Sequence, residues 1–89
     1  MAKQRVIAFK DEIKDIIDEW DPVKVLRFSK DEYQDNVDEI VDKISISSEV
    51  TSIAKVINRV FKKRYGPEYE KNLMDCIDVA NKIYILLKK

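Results

Sequence analysis

The chain has 89 residues, with 17 Lys and Arg against 17 Asp and Glu, no His, one Cys, one Gly and two Pro, and so a formal net charge of zero. This length predicts a single domain over residues 1–89, and 45% hydrophobic with 38% charged residues argues against both a disordered chain and a membrane protein. The composition also excludes imidazole metal ligands, an intrachain disulfide and a glycine-rich phosphate loop, since each needs residues that the chain lacks.

An amphipathic helix is predicted at the start of the chain. Its apolar residues recur with the 3.6-residue period of one helical face: Val6, Phe9, Ile13, Ile16, Ile17 and Trp20. Pro22 disfavours the helical conformation at Asp21, so this helix should end near Trp20. Asp21 is then placed to cap a short turn that begins at Pro22. An apolar connector follows, which we expect to be covered: Val23, Val25, Leu26 and Phe28.

A second helix is predicted from a capping box. Ser29 and Glu32 have the S-x-x-E spacing, and Phe28 with Tyr33 fits a hydrophobic staple around the same cap. The apolar face of this helix consists of Tyr33, Val37, Ile40, Val41 and Ile44. The segment 45–48, which is three Ser and one Ile, should end it, because Ser and β-branched residues compete with helix.

Two further helices complete the prediction. Ser47 or Ser48 is expected to cap the third, whose apolar face is Val50, Ile53, Ala54, Ile57, Val60 and Phe61. Gly66 suits the end of that helix, and Pro67 should open the fourth. The apolar face of the fourth helix is Tyr69, Leu73, Cys76, Ile77, Ala80, Ile83, Tyr84 and Leu87. The sequence thus predicts an all-α, small four-helix bundle-like domain with a short capped connector after the first helix.

Several of these residues resemble a known family. The resemblance rests on Trp20-Asp21-Pro22 after an amphipathic helix, Asp31-Glu32-Tyr33 opening the next, Phe61 with Gly66 five residues later, and Cys76, Val79, Ala80 and Ile83 in the last helix. Over about residues 13 to 87 the chain resembles the YugE-like family of small all-α bacterial proteins. The resemblance implies a helical fold and brings no established activity.

Two single residues are candidates for chemistry, and each has a structural interpretation that we favour. Trp20 should close the hydrophobic core, although Trp is also common at binding hot spots. Cys76 lies on the predicted core face of the fourth helix, where apolar surroundings make a thiol inert, and the chain has no His to activate it. We therefore expect a structural tryptophan and a structural cysteine.

Acidic residues form stripes on the polar sides of the first two helices. On the first helix they are Asp11, Asp15 and Asp18, and on the second they are Asp31, Asp35, Asp38 and Asp42. Paired carboxylates can hold a cation or act as acid and base, but these stripes point away from the core and should have no pocket to desolvate them. A solvated face or a protein-binding face is therefore expected, with no metal and no cofactor.

Basic residues are concentrated in the second half of the chain. Residues 1–49 hold eight Lys and Arg against 13 Asp and Glu, whereas residues 50–89 hold nine against four. A basic patch is predicted on the third helix: Lys55, Arg59, Lys62, Lys63 and Arg64. Pairing with the acidic half is its simplest explanation. Nucleic-acid binding is not expected, since the pI is near 6.3 and no aromatic residues are interleaved.

The fourth helix carries more apolar residues than one face needs. Met74 and Ile85 lie on one flank, and Val79 and Leu86 lie on the other. Either the connector of residues 23–28 covers part of this surface, or a second chain does, because a monomer rarely leaves a large apolar patch in water. We therefore treat these four residues, with the acidic stripe of the second helix, as a candidate protein interface.

Our expectation is a non-enzymatic protein-interaction module that binds a protein partner or a second copy of itself. A carboxylate-based metal-binding or hydrolytic bundle is one alternative, and a toxin-neutralising immunity-type protein is another. No apolar run approaches the roughly 18 residues of a membrane span, and the N-terminus lacks the apolar region of a signal peptide. A cytoplasmic location without membrane contact is therefore expected.

Overall fold

The part of the chain that the structure describes contains four α-helices of ten or more residues. In a computed structural model that describes residues 6–24 and 31–89, they are α1 (Lys10–Trp20), α2 (Gln34–Lys43), α3 (Val50–Tyr65) and α4 (Leu73–Leu87). Residues 6–8 are also helical, and a short 3₁₀-helix, Gly66–Glu68, follows α3. No strand occurs in the described parts of the chain, which confirms the all-α prediction.

Each helix packs against the helices before and after it in the chain, and α1 also packs against α4. Side-chain contacts show that successive helices run antiparallel. The Lys88 amine at the end of α4 donates to the Ile46 carbonyl just before α3, at 2.9 Å. Arg64, near the end of α3, lies 3.9 Å from Asp35 at the start of α2. The four helices therefore form a ring in which α1 lies diagonally opposite α3.

The core consists of the apolar faces predicted from the helical period. Its buried residues are Val6, Ile13, Ile17, Tyr33, Val37, Ile40, Val41, Ile44, Ile53, Ala54, Ile57, Val60, Phe61, Tyr69, Cys76, Val79, Ala80, Ile83 and Leu87. Burial of such side chains is the main stabilising contribution, at about 1.5–3 kcal/mol for each large one. Val79 belongs to this core, although the helical period predicted it on an exposed flank of the fourth helix.

An aromatic cluster fills one end of the bundle, where α1 and α3 end. The Phe61 ring is its centre: Trp20 meets it edge-on at 5.7 Å between ring centroids, and Tyr69 stacks on it at the same distance. Tyr33 meets Phe61 edge-on at 5.6 Å, and Tyr65 stacks on it at 5.9 Å. Such aromatic pairs stabilise the fold beyond the contribution of the apolar area that the rings bury. The structural interpretation of Trp20 agrees with this position.

The ends of the helices differ in part from the predictions. The residue preceding α3 is Glu49, which makes no side-chain cap, while the Ser48 hydroxyl instead accepts from the Ser45 amide at 2.9 Å. The prediction that Ser47 or Ser48 caps α3 is therefore wrong. Gly66 ends α3 as predicted and takes a positive φ of 55°.

The start of α4 was also misplaced. Pro67 lies in the 3₁₀-helix, and α4 begins only at Leu73, behind a capping box formed by Asn72 and Asp75. The Asn72 side chain accepts from the Asp75 amide at 3.1 Å, and the Asp75 carboxylate accepts from the Asn72 amide at 2.9 Å. A turn over residues 31–33 precedes α2, which begins at Gln34 and so later than the predicted start directly after Ser29. Ser29 as the predicted cap, Phe28 of the predicted staple, and the connector residues Val25 and Leu26 lie outside the described residues.

Candidate interaction surface

Four of the five residues of the basic patch predicted on the third helix line an open groove of about 580 Å³, and Arg64 lies outside it. We call this feature the basic groove, and its lining residues are Lys55, Asn58, Arg59, Lys62 and Lys63 of α3 and Leu73 of α4. Lys55, Arg59 and Lys62 share a helical face because they are four and three residues apart, and they span about 10 Å along the axis. The groove thus combines a row of cations with one apolar side chain.

Three of these cations lie in the groove without an ion pair to the described part of the chain. Lys55, Arg59 and Lys62 are exposed, and none of them forms an ion pair with any residue that the structure describes. Their positive charge is therefore available to a ligand or partner. This outcome differs from the expectation that the acidic half of the chain would neutralise the whole basic patch.

The other two residues of the patch do pair with α2. The Lys63 amine lies 2.9 Å from Glu39, and this hydrogen bond holds the pKa of the Glu39 carboxyl below its usual value. The Arg64 guanidinium lies 3.8 Å from Glu32 and 3.9 Å from Asp35, and it also lies against the Tyr65 ring. Charge complementarity between the two halves of the chain is thus real but limited to the end of α3.

A buried polar cluster lies beneath the basic groove. The Tyr69 hydroxyl donates to the Asn58 side-chain oxygen at 3.1 Å and lies 3.0 Å from the Cys76 sulfur. Burial raises the pKa of both the Tyr69 hydroxyl and the Cys76 thiol, so both stay protonated at neutral pH. Cys76 is free and buried, which agrees with the prediction of a structural cysteine. The cluster fixes Asn58 in the floor of the groove.

The acidic stripe of α2 consists of Asp31, Asp35, Asp38 and Asp42. Asp38 forms an ion pair with Lys10 of α1 and accepts from Gln34, and the hydrogen bond from Lys10 lowers the pKa of its carboxyl. Asp35 faces Arg64, as described above. Asp31 and Asp42 are exposed. Asp35 and Asp38 therefore already face cations of this chain.

The apolar flanks of α4 are only partly exposed. Met74 is 76% exposed and Ile85 is 53% exposed, as an outward flank requires. Val79, by contrast, is 4% exposed and belongs to the core, and Leu86 is half-buried against it. The assignment of Val79 to an exposed interface is therefore corrected. The physical reason is that α1 packs on α4, which covers a side that the helical period alone left open.

Met74 and Val79 also border a second depression of about 410 Å³, together with Trp20. Its remaining lining residues are Glu19, Lys71, Asp75, Asp78 and Lys82. Charges of both signs surround it, so it selects for no single kind of partner. It lies on the side of α4 that faces α1, away from the cations of α3.

Asn58 and Leu73 complete the basic groove, and the sequence offered only a weak signal for either. Asn58 follows the apolar Ile57 and lies one turn from Lys55 and Lys62 on the same helix, which could have indicated its place among the cations. Leu73 joins from α4, and that contact depends on how α3 and α4 pack. A helical wheel of one helix cannot show it.

Residues 6–24 and 31–89 contain neither a metal-binding cluster nor a membrane-spanning helix. No group of three or more Cys, Asp or Glu side chains there is arranged to hold a metal ion. No helix in those ranges has the length and apolar character needed to cross a bilayer.

Comparison with known proteins gives a family but no activity. No curated protein matches the chain, and no solved structure matches it. The family model described as a domain of unknown function (DUF1871) matches residues 12–89, which include all of α2, α3 and α4 and most of α1. On this match, the chain belongs to the DUF1871 family.

Proposed function

We propose that this protein is a non-enzymatic protein-interaction module and that an acidic segment of its partner docks in the basic groove. One observation carries the proposal: Lys55, Arg59 and Lys62 are exposed side by side without an ion pair among the described residues. Opposite charge on a partner would orient its approach and accelerate association. Leu73 and the alkyl parts of the lysines offer apolar contact beside those charges.

A polypeptide fits this groove better than a nucleic acid does. None of the groove's lining residues is aromatic, so single-stranded bases would have no ring on which to stack. The chain as a whole has no net charge, and exposed carboxylates of α1 and α2 would repel an extended polyanion. A short acidic segment avoids that repulsion because it needs to contact only one face.

The acidic stripe of α2 is a weaker docking surface than expected. An immunity-type protein would need that stripe to cover a basic active site, but Asp35 and Asp38 already face Arg64 and Lys10. The proposal therefore keeps the expected function class, a binding module, and moves its surface from α2 to α3. The YugE-like resemblance is compatible with this proposal, since it brings no competing activity.

The proposal can be tested with a defined probe. The probe is a fluorescein-labelled 20-residue peptide of Glu with Leu at every fourth position, titrated with the protein by fluorescence anisotropy at 20 mM and 500 mM NaCl. Binding is expected at low salt and loss of at least tenfold in affinity at high salt. Replacing Lys55→Gln, Arg59→Gln and Lys62→Gln together should weaken low-salt binding by at least tenfold.

A matched control removes three positive charges elsewhere: Lys71→Gln, Lys82→Gln and Lys89→Gln. It has the same net charge as the groove variant and should bind the peptide within about threefold of the parent. Equal loss in both variants would mean that total charge, not the groove, attracts the probe. A stronger response to a 20-nucleotide single-stranded DNA than to the peptide would overturn the choice of a protein partner.

A further inference from the structure

A row of exposed carboxylates lies on α1. We call this row the acidic ridge and define it as Asp11, Glu12, Asp15 and Glu19, all of them exposed. At 100° per residue they fall within a sector of about 100° and span about 12 Å along the helix. None of the four forms an ion pair with another described residue. The ridge therefore matches the basic groove in length and opposes it in charge.

The ridge and the groove cannot meet within one molecule. The ridge is on α1 and the cations of the groove are on α3, and each of these helices packs against α2 and α4 on its two sides. The outward faces of two diagonally opposite helices point in opposite directions. The carboxylates of Glu32, Asp35 and Glu39 face Lys63 and Arg64 instead. Two complementary surfaces are thus left unmatched on opposite sides of the bundle.

From this arrangement we infer that the acidic ridge of a second copy of this chain docks in the basic groove. The inference rests on the proposed function, because it names the acidic segment that the groove takes. A net charge of zero means that two copies do not repel each other as wholes. Each docked copy still presents one free ridge and one free groove, so the contact is head-to-tail and can extend beyond a dimer.

The contact is weak and sensitive to salt. Ion pairs between exposed side chains contribute little each, and salt screens them over about 8 Å at 0.15 M. Association should therefore be visible at protein concentrations of roughly 0.1–1 mM in 10 mM NaCl and absent in 300 mM NaCl. A reversible, salt-controlled assembly follows, rather than a permanent oligomer.

Two variants of the full chain separate the surfaces. The groove variant carries Lys55→Gln, Arg59→Gln and Lys62→Gln, and the ridge variant carries Glu12→Gln, Asp15→Asn and Glu19→Gln. Sedimentation velocity at 10 mM NaCl should show self-association of the parent, and each variant alone should be monomeric. An equimolar mixture should form a 1:1 heterodimer and nothing larger, because only one intact ridge and one intact groove remain.

A variant with all six substitutions is the control for net charge and folding. It should be monomeric and should not associate with the groove variant, and circular dichroism should show the helix content of the parent in every variant. A parent that stays monomeric at 1 mM protein and 10 mM NaCl overturns the inference. So does a ridge variant that self-associates as the parent does.

Failure of the self-association and failure of the proposed function can be distinguished by peptide binding. If the parent is monomeric but the ridge variant binds the Glu/Leu peptide as the parent does, the groove binds acidic partners and the second copy is not one of them. If the peptide does not bind either, the proposed function fails together with this inference.

Discussion

The Tyr33 hydroxyl donates a hydrogen bond of 2.6 Å to the Asp21 carboxylate and accepts one of 3.1 Å from the Val23 amide. Tyr33 precedes α2 and Asp21 follows α1, so this contact joins the ends of two helices across the connector. It also joins the two motifs that carry the YugE-like resemblance, Trp20-Asp21-Pro22 and Asp31-Glu32-Tyr33. Burial and the bond to Asp21 raise the pKa of the Tyr33 hydroxyl. These motifs therefore have a structural role in this fold.

Replacing Tyr33→Phe should lower the free energy of unfolding by about 2 kcal/mol, because a charge-assisted hydrogen bond is lost and a backbone amide loses its acceptor. The ring still packs on Phe61, so the native fold should be kept. Urea denaturation of parent and variant, followed by circular dichroism, gives the difference.

The control for this prediction is Tyr84→Phe. Tyr84 is half-buried on α4, and its hydroxyl makes no hydrogen bond within the described residues. Its loss should change stability by less than about 0.5 kcal/mol. Equal effects of the two substitutions would show that the bond to Asp21 contributes nothing net.

The helices and their buried faces were predictable because the helical period decides which residues turn inward. The periodic positions of α2 and α3, such as Val37 and Ile57, are buried as expected, except for Val50 at the start of α3, which is only partly buried. What one helix meets on its flanks depends on its neighbours, and this is why Val79 was misassigned. The pairing of Lys63 and the isolation of Lys62 likewise depend on the register between α2 and α3, which a sequence does not show.

The error at the start of α4 has a local cause. Pro67 suits a first helical turn, and the chain does form one there, but as a 3₁₀-helix that stops at Glu68. Asn72 and Asp75 carry the stronger signal, since reciprocal hydrogen bonds satisfy two free amides. Between two candidate starts, the one with a reciprocal side-chain cap begins the α-helix.

This capping box leads to a second prediction. Replacing Asn72→Ala should cost about 1 kcal/mol, since the Asp75 amide loses its acceptor at the start of α4. Asn81→Ala, at an exposed position within the same helix, should be neutral or slightly stabilising. Urea denaturation of both variants checks this, and an equal cost at the two positions would contradict it.

The correction at Val79 can be measured directly. Val79→Ala removes two buried carbon atoms and should lower stability by about 1.5 kcal/mol, including the cavity that remains. Met74→Ala removes a mostly exposed side chain and should change stability by less than about 0.5 kcal/mol. Thermal and urea unfolding should rank the two variants in this order, and the reverse order would place Val79 on the surface.

Basic residues of α3 that form an ion pair should respond to neutralisation differently from those that form none among the described residues. Lys63→Gln breaks the pair with Glu39 and should lower stability slightly at low salt, and the loss should shrink as salt is added. Arg59→Gln should be neutral or slightly stabilising, because Arg59 has no described anionic partner and lies four residues from Lys55. A loss on Arg59→Gln larger than that on Lys63→Gln would show that Arg59 stabilises the fold.

Alkaline pH should destabilise the fold through buried protonated groups, and Cys76 should respond first. Burial raises the pKa of the Cys76 thiol above its ordinary value of 9.0, so the folded state keeps a proton that the unfolded chain releases. The thiol's contribution is therefore complete below pH 9 and is lost as the pH rises toward the folded pKa. The slope approaches about 1.4 kcal/mol per pH unit for one such group.

The variant Cys76→Ser removes this titration and keeps a hydroxyl beside Tyr69. Urea unfolding at pH 7, 8.5 and 9.5 should show stability falling less steeply in the variant than in the parent. The tyrosine hydroxyls, whose ordinary pKa is 10.0, are present in both proteins, so their titration contributes alike to the two slopes and cancels in the comparison. Parallel curves would mean that the thiol titrates alike in the folded and unfolded states, and that it is not held in the dry environment beneath the groove.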